Sequence, residues 1–231
     1  MRPVKKGDVP TDRNGQPKQY SEYGKAKPDL LRRLGKFCSY CEMELKDGTE
    51  VEHVQPKSRK RDLEKKWSNF LLACKRCNTR QGKKQVKLEK CFWPDRDNTL
   101  LAFSYLPDSR VVVNPELEDD VKHCAERPMK LVGLDNIPKN LHDDPRFDNR
   151  RRAWMQATRT RAKLWESSAK DETREEIENL APEVGHFSVW MSVFADDPET
   201  RKLLIRVFSG PAEDCFEAKT TAPVKRPGGK L

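Results

Sequence analysis

Apolar residues in this chain come in short clumps between long polar stretches, and each clump has a readable period. Leu30, Leu31 and Leu34 follow Pro28 and precede Gly35, one helical face with a proline start and a glycine stop. This predicts a short amphipathic helix over 29–35. Thr49 to Val54, after the turn residues Lys46-Asp47-Gly48 and before Pro56, reads as a strand. The charged stretch from Lys57 to Lys66 is a loop or a short helix. Asn69 to Ala73 carries Phe70, Leu71 and Leu72, and a helix is expected to begin near Arg76. Together these give a strand pair followed by a helix.

Further along, the turn formers of 92–99 make a connector. Segments 99–105 and 110–113 are expected to pair as a hairpin across Pro107-Asp108-Ser109. Helical periods run over 115–131, with Leu117, Val121, Cys124 and Met129 inward, and over 145–165, with Phe147, Trp154, Ala157, Leu164 and Trp165 near one face. Two more helices are expected over 171–180 and 184–208, the second split at Asp196-Asp197-Pro198. The fold class is α+β. Four regions follow: at 1–27 an extended arm laid over the domain or over nucleic acid, or else a partly disordered leader, a small module at 28–90, a mainly helical region at 91–208 and a loose tail at 209–231.

Charge sharpens this picture. Charged residues make up 36% of the 231 positions and the formal net charge is +9. Between Gln55 and Lys90 thirteen Lys or Arg face three acids, so nearly all the excess sits on the small module. Such concentration points to a polyanionic partner. No apolar run is long enough for a membrane span, and the start lacks the apolar stretch of a signal peptide. Cys91, Cys124 and Cys215 lie scattered, which fits a reducing cytoplasm better than a disulfide framework.

The candidate chemistry lies inside the basic module. Cys38-Ser39-Tyr40-Cys41 and Cys74-Lys75-Arg76-Cys77 are two knuckles at the spacing of a closed tetrahedral zinc site. A closed site has no open position, so catalysis needs a second ion. Glu52 and Asn78 offer hard oxygens suited to Mg²⁺ or Mn²⁺. His53, one of four histidines, is the candidate base, on the opposite strand face from Glu52 by alternation. Asn69, before three apolar residues, is expected to be partly buried and to bridge backbone near His53. Arg80, Lys83, Lys84 and Lys87 are candidate phosphate contacts. The cations of 145–165 either line a nucleic-acid channel or pair with acids such as Glu172, Glu175 and Glu176.

Glu52-His53, Asn69 and Cys-x-x-Cys-Asn78, followed by Lys83-Lys84, resemble the HNH endonuclease signature in its zinc-knuckle form. The resemblance implies a ββα-metal fold over about 36–87 and hydrolysis of DNA phosphodiesters with one catalytic divalent ion. It implies that His53 activates water, Glu52 and Asn78 hold Mg²⁺, and Asn69 orients the base. Glu52 stands where Asp or His is usual, and Asn78 replaces the final histidine. The flanks (Met1 to Gly7, Trp93 to Thr99 and Lys130 to Asp135) are similar to the HNH subunit of Septu-type anti-phage systems, including retron-associated ones. That likeness implies an ABC-type ATPase subunit docking on the helical region. A free-standing restriction-type HNH enzyme and a non-catalytic zinc-stabilised nucleic-acid adaptor remain alternatives.

Overall fold

The computed structural model describes residues 1–45, 48–81, 87–140 and 143–231. Lys83, Lys84 and the turn residues Lys46 and Asp47 lie outside the described residues. Helix α1 (Lys27–Leu34) ends at Gly35, whose φ of 69° an L side chain resists. The antiparallel pair β1 (Thr49–His53) and β2 (Phe70–Cys74) feeds directly into α2 (Lys75–Gln81), giving the expected strand pair and helix. Every residue of β2 is buried because α1 and α2 both pack on it. A second ribbon pairs β3 (Phe103–Tyr105) with β4 (Val111–Val113), but Thr99–Ala102 forms a helical turn, α3, capped by Asn98.

Helices α4 (Asp119–Val132) and α5 (Pro145–Glu166) follow, then α6 (Lys170–Val184), α7 (Phe187–Val193) and α8 (Pro198–Val207). The split at Asp197-Pro198 is present, with the Asp197 side chain capping α8. A second break at Gly185-His186 separates α6 from α7. One hydrophobic cluster joins α1, both cysteine knuckles, β2 and α4. The other gathers Ile177, Phe187, Trp190, Phe194, Leu204 and Phe208 between α5 and α8. Among the described residues no helix is long and apolar enough to cross a membrane.

The N-terminal arm is laid over the domain, and the tail expected to be loose is instead packed against it. Val4 bridges Pro211, and Ala212 N–H donates to Pro3 O at 3.0 Å. Arg2 is buried and donates to Leu34 O and Ser209 O. Asn98 Nδ2 donates to Cys215 O (2.8 Å) and Val224 O (2.7 Å), while Lys230 N–H reaches Asp97 Oδ1 at 2.7 Å. Both ends are poor in apolar side chains, and backbone hydrogen bonds to buried polar groups order them. Satisfied backbone of this kind leaves no trace in a hydrophobic pattern.

A buried polar knot sits beneath α7. The Glu42 carboxylate accepts from Tyr105 OH (2.7 Å) and Ser188 N–H (2.7 Å), and lies 2.9 Å from the Met1 amino group. These partners outweigh burial and hold it down at about 2. His186 beside it is 0% exposed, with φ 58° and neither ring nitrogen hydrogen-bonded. Burial, then the Arg150 charge, pushes it down to about 3. A histidine neutral in the fold but protonated in the unfolded chain destabilises as pH falls from its ordinary 6.5 toward about 3. Glu42 adds acid sensitivity over a lower window, from its ordinary 4.5 down to about 2. Urea unfolding is therefore expected to weaken by up to about 1.4 kcal/mol per pH unit below the mid-sixes. A urea midpoint that stays flat from neutral pH down to about 5 would contradict this.

Candidate active site

The two knuckles meet where β2 becomes α2. The turn carrying Cys38 and Cys41 is fastened to β2 by Ser39 N–H donating to Leu72 O at 2.8 Å, and closed by Glu42 N–H to Cys38 O at 3.0 Å. Cys74 ends β2 and Cys77 lies one helical turn on, its N–H facing Cys74 Sγ at 3.5 Å. The four sulfurs lie within 4.8 Å of one another, all buried and none in a disulfide. They pull against each other: hydrogen bonds from Cys38, Cys41 and Cys77 drive the Cys74 thiol far down, while Cys41 and Cys77 are pushed up. This is a donor set built for a thiophilic cation.

Arg146, in the first turn of α5, supports that cluster from behind. It is 2% exposed and donates Nη1 to Cys77 Sγ (3.3 Å) and Val132 O (2.7 Å), and Nη2 to Gly133 O (3.0 Å) and Asp144 Oδ2 (2.6 Å). Burial works against its charge, but Asp144 and Cys77 more than offset it and hold the guanidinium well above its ordinary value. A cation donating to a sulfur offsets part of the negative charge that four thiolates place on a bound dication. Arg146→Met leaves Asp144 buried without its main partner, and the expected loss is about 3–5 kcal/mol in chemical denaturation. A change below about 1 kcal/mol, the scale of an exposed pair, would show that the pair does not hold the fold.

The channel reading of α5 gives way here. Arg146 and Arg150 are buried, and Arg150 Nε donates to Ser109 O at 2.6 Å. Arg151 and Arg152 pair with Asp148 at 3.0 and 2.8 Å, Arg161 with Asp196 at 2.7 Å and Lys163 with Glu176. Most of these cations are therefore used within the molecule.

On β1, alternation places Glu50 and Glu52 on one face and His53 on the other. Glu52 is 2% exposed and its Oε2 has no hydrogen-bond partner. Burial, then Cys38, then Glu50 push its carboxyl up to about 9. A buried carboxylate in that state is short of a cation. Asn78, half-buried on α2, donates Nδ2 to Glu50 Oε2 rather than to Glu52. Glu50 is thus a candidate site residue that the motif does not contain. Its signal in the sequence is the two-residue spacing of Glu50 and Glu52, which puts both on the α2 side of the strand.

His53 lies across from Phe70, ring centroids 5.4 Å apart, with Tyr23 at 4.8 Å on another side. Its Nε2 lies 2.9 Å from Glu64 O. A carbonyl only accepts, so this contact places the proton on Nε2 and the lone pair on Nδ1. Burial and the nearby Lys57 lower its pKa despite the Glu64 contacts, so the ring is neutral near neutral pH, as a base must be. Asn69 is buried and clasps the segment beyond β1: Oδ1 accepts from Gln55 N–H (2.8 Å), and Nδ2 donates to Gln55 O (2.9 Å) and Leu63 O (3.3 Å). Its connection to His53 runs through the 55–64 loop, whose far end carries the Glu64 carbonyl. Arg80 and Lys87 are both exposed.

Comparison with known proteins turns on this segment. Residues 38–84 match the HNH endonuclease family model. The matched stretch begins at the first cysteine and takes in β1, β2 and α2, so the strand pair, helix and four-cysteine cluster are an HNH domain. Over 82 residues the chain is 37% identical to the Septu protein PtuB of Bacillus thuringiensis, a stretch that covers 33% of this chain and 32% of that protein. The match therefore spans about a third of the relative's length.

Proposed function

We propose that this protein is a metal-dependent endonuclease that hydrolyses DNA phosphodiester bonds at the HNH segment. The observation that carries the reading is the setting of Glu52-His53: a buried carboxylate with an unpartnered oxygen, next in the chain to a neutral imidazole of assigned tautomer. His53 Nδ1 would take the proton of the attacking water as the new P–O bond forms and the ester P–O bond breaks. Asn69 and the Glu64 carbonyl hold the ring in place for this. Glu52 and the Asn78 oxygen would hold Mg²⁺ or Mn²⁺, with Glu50 fixing the Asn78 amide by its nitrogen. A divalent ion there supplies positive charge to the departing oxygen. The four cysteines would hold a structural Zn²⁺, since thiolates at this spacing select it over oxygen-loving ions.

The likeness to a Septu protein supports a place in anti-phage defence, as the nuclease subunit of a complex with an ABC-type ATPase. The test is nicking of supercoiled plasmid by purified protein with Mg²⁺ or Mn²⁺, with and without a partner ABC-type ATPase. Nicking that needs the ion and is strengthened by the ATPase supports the reading. No nicking under any of these conditions, in protein shown to carry zinc, would overturn it.

A further inference from the structure

A cleft of about 770 Å³ opens beside the HNH segment, lined by residues of four separate segments: 6–9, 18–20, 65–68 and 95–96. Its walls carry Lys6, Lys18, Lys65, Lys66 and Arg96 against the two carboxylates Asp8 and Asp95. Lys6 and Asp95 form the floor. Lys6 is buried, and its Nζ donates to Phe70 O (2.8 Å), Ser68 O (3.2 Å) and Asp95 Oδ2 (3.1 Å). Lys18 is held by Asp29 at 2.9 Å. The Lys65, Lys66 and Arg96 side chains are exposed and have no hydrogen-bond or ion-pair partner among the described residues. The cleft thus presents three uncommitted cations over a floor whose own charges are already paired.

Its position ties it to His53. Lys65 follows Glu64, whose carbonyl lies 2.9 Å from His53 Nε2. Tyr20 in the cleft wall has its ring 6.3 Å from that of Phe70, which is in ring contact with His53. The two aromatic rings of the cleft, Tyr20 and Trp67, are buried and stacked on each other at 6.2 Å. No open ring face is left for a base to stack on. Charge without a stacking surface suits sugar–phosphate backbone rather than a nucleotide or an exposed base.

We propose that this cleft receives the phosphate backbone of the DNA flanking the bond addressed by His53, through Lys65, Lys66 and Arg96 and without regard to sequence. The proposal rests on the nuclease reading for its substrate, and its test separates the two. Binding is measured by fluorescence anisotropy on a labelled duplex of random sequence, over a series of salt concentrations, in chelator and in a His53→Ala background, so that no hydrolysis enters. Each phosphate contact contributes about 0.9 to the slope of log affinity against log salt. The triple variant Lys65→Ala, Lys66→Ala, Arg96→Ala is expected to lower that slope by about two to three, with melting unchanged because all three side chains are exposed. The same total slope in parent and triple variant would overturn the cleft, while catalysis is tested separately by plasmid nicking. An equal loss from replacing the exposed Lys170 and Lys225, outside the cleft, would also overturn it, since net charge alone would then account for the effect.

Discussion

Removing the metal from the four-cysteine cluster, by chelation or by Cys77→Ser, is expected to unfold the segment from Cys38 to Gln81. That segment holds a two-stranded ribbon and a seven-residue helix. Neither is stable alone in water. With the dication absent, four buried sulfurs at mutual distances within 4.8 Å cannot all stay ionised, because their hydrogen bonds to one another, burial and mutual repulsion push Cys41 and Cys77 up. Arg146 would then face a neutral sulfur. A structural zinc site of this type contributes on the order of 10–16 kcal/mol of apparent binding free energy, comparable to the whole stability of a small domain. Hydrogen exchange should show loss of protection across β1, β2 and α2, while α6 and α8, whose buried apolar side chains belong to the other cluster, keep theirs. Full retention of protection in β2 after verified loss of the metal would sink the structural assignment.

His53→Ala is expected to lower plasmid nicking by about a hundredfold to ten-thousandfold at neutral pH, the range for loss of a general base. The fold should tolerate the change, because His53 is only half-buried, at the end of β1. Glu52→Gln should reduce nicking to a similar degree by a different route. It keeps the shape of the side chain and removes the group that would ionise toward a divalent ion, while the metal-free side chain is already neutral because its carboxyl is pushed up to about 9. The metal-free Glu52→Gln protein should therefore melt no lower than the parent while its Mn²⁺ affinity falls. Nicking by His53→Ala at the parental rate would take the imidazole out of the chemistry.

Much of the HNH segment was legible because its signals are local. A Cys-x-x-Cys pair needs only a tight turn, and the spacing of Cys74 and Cys77 fits the first turn of α2. The run Phe70-Leu71-Leu72 is uninterrupted because β2 is buried at every position, whereas in β1 only Val51 and Glu52 are buried and the other three residues are half-buried. The hairpin of β3 and β4 was equally local, centred on turn residues. Glu50 belongs to no motif, although strand periodicity put it beside Glu52. Its partner Asn78 is twenty-eight positions away and meets it only after the ribbon and helix have packed.

Sequence alone determined the metal-binding pairs, the strand pair and helix that hold them, the acid-imidazole step at Glu52-His53 and the concentration of positive charge around it. These depend on contacts within a few residues or on residue types and their spacing. Only the tertiary structure decided which charges are spent inside the molecule: Arg146 against Cys77 and Asp144, Arg150 against Ser109, Lys6 against Asp95. It likewise decided that the polar ends are clasped and that Lys65, Lys66 and Arg96 converge on one cleft. The physical reason is that a cation's role follows from whether an acceptor lies within a few ångströms. Chain segments distant in sequence supply that acceptor, and no local pattern records their meeting.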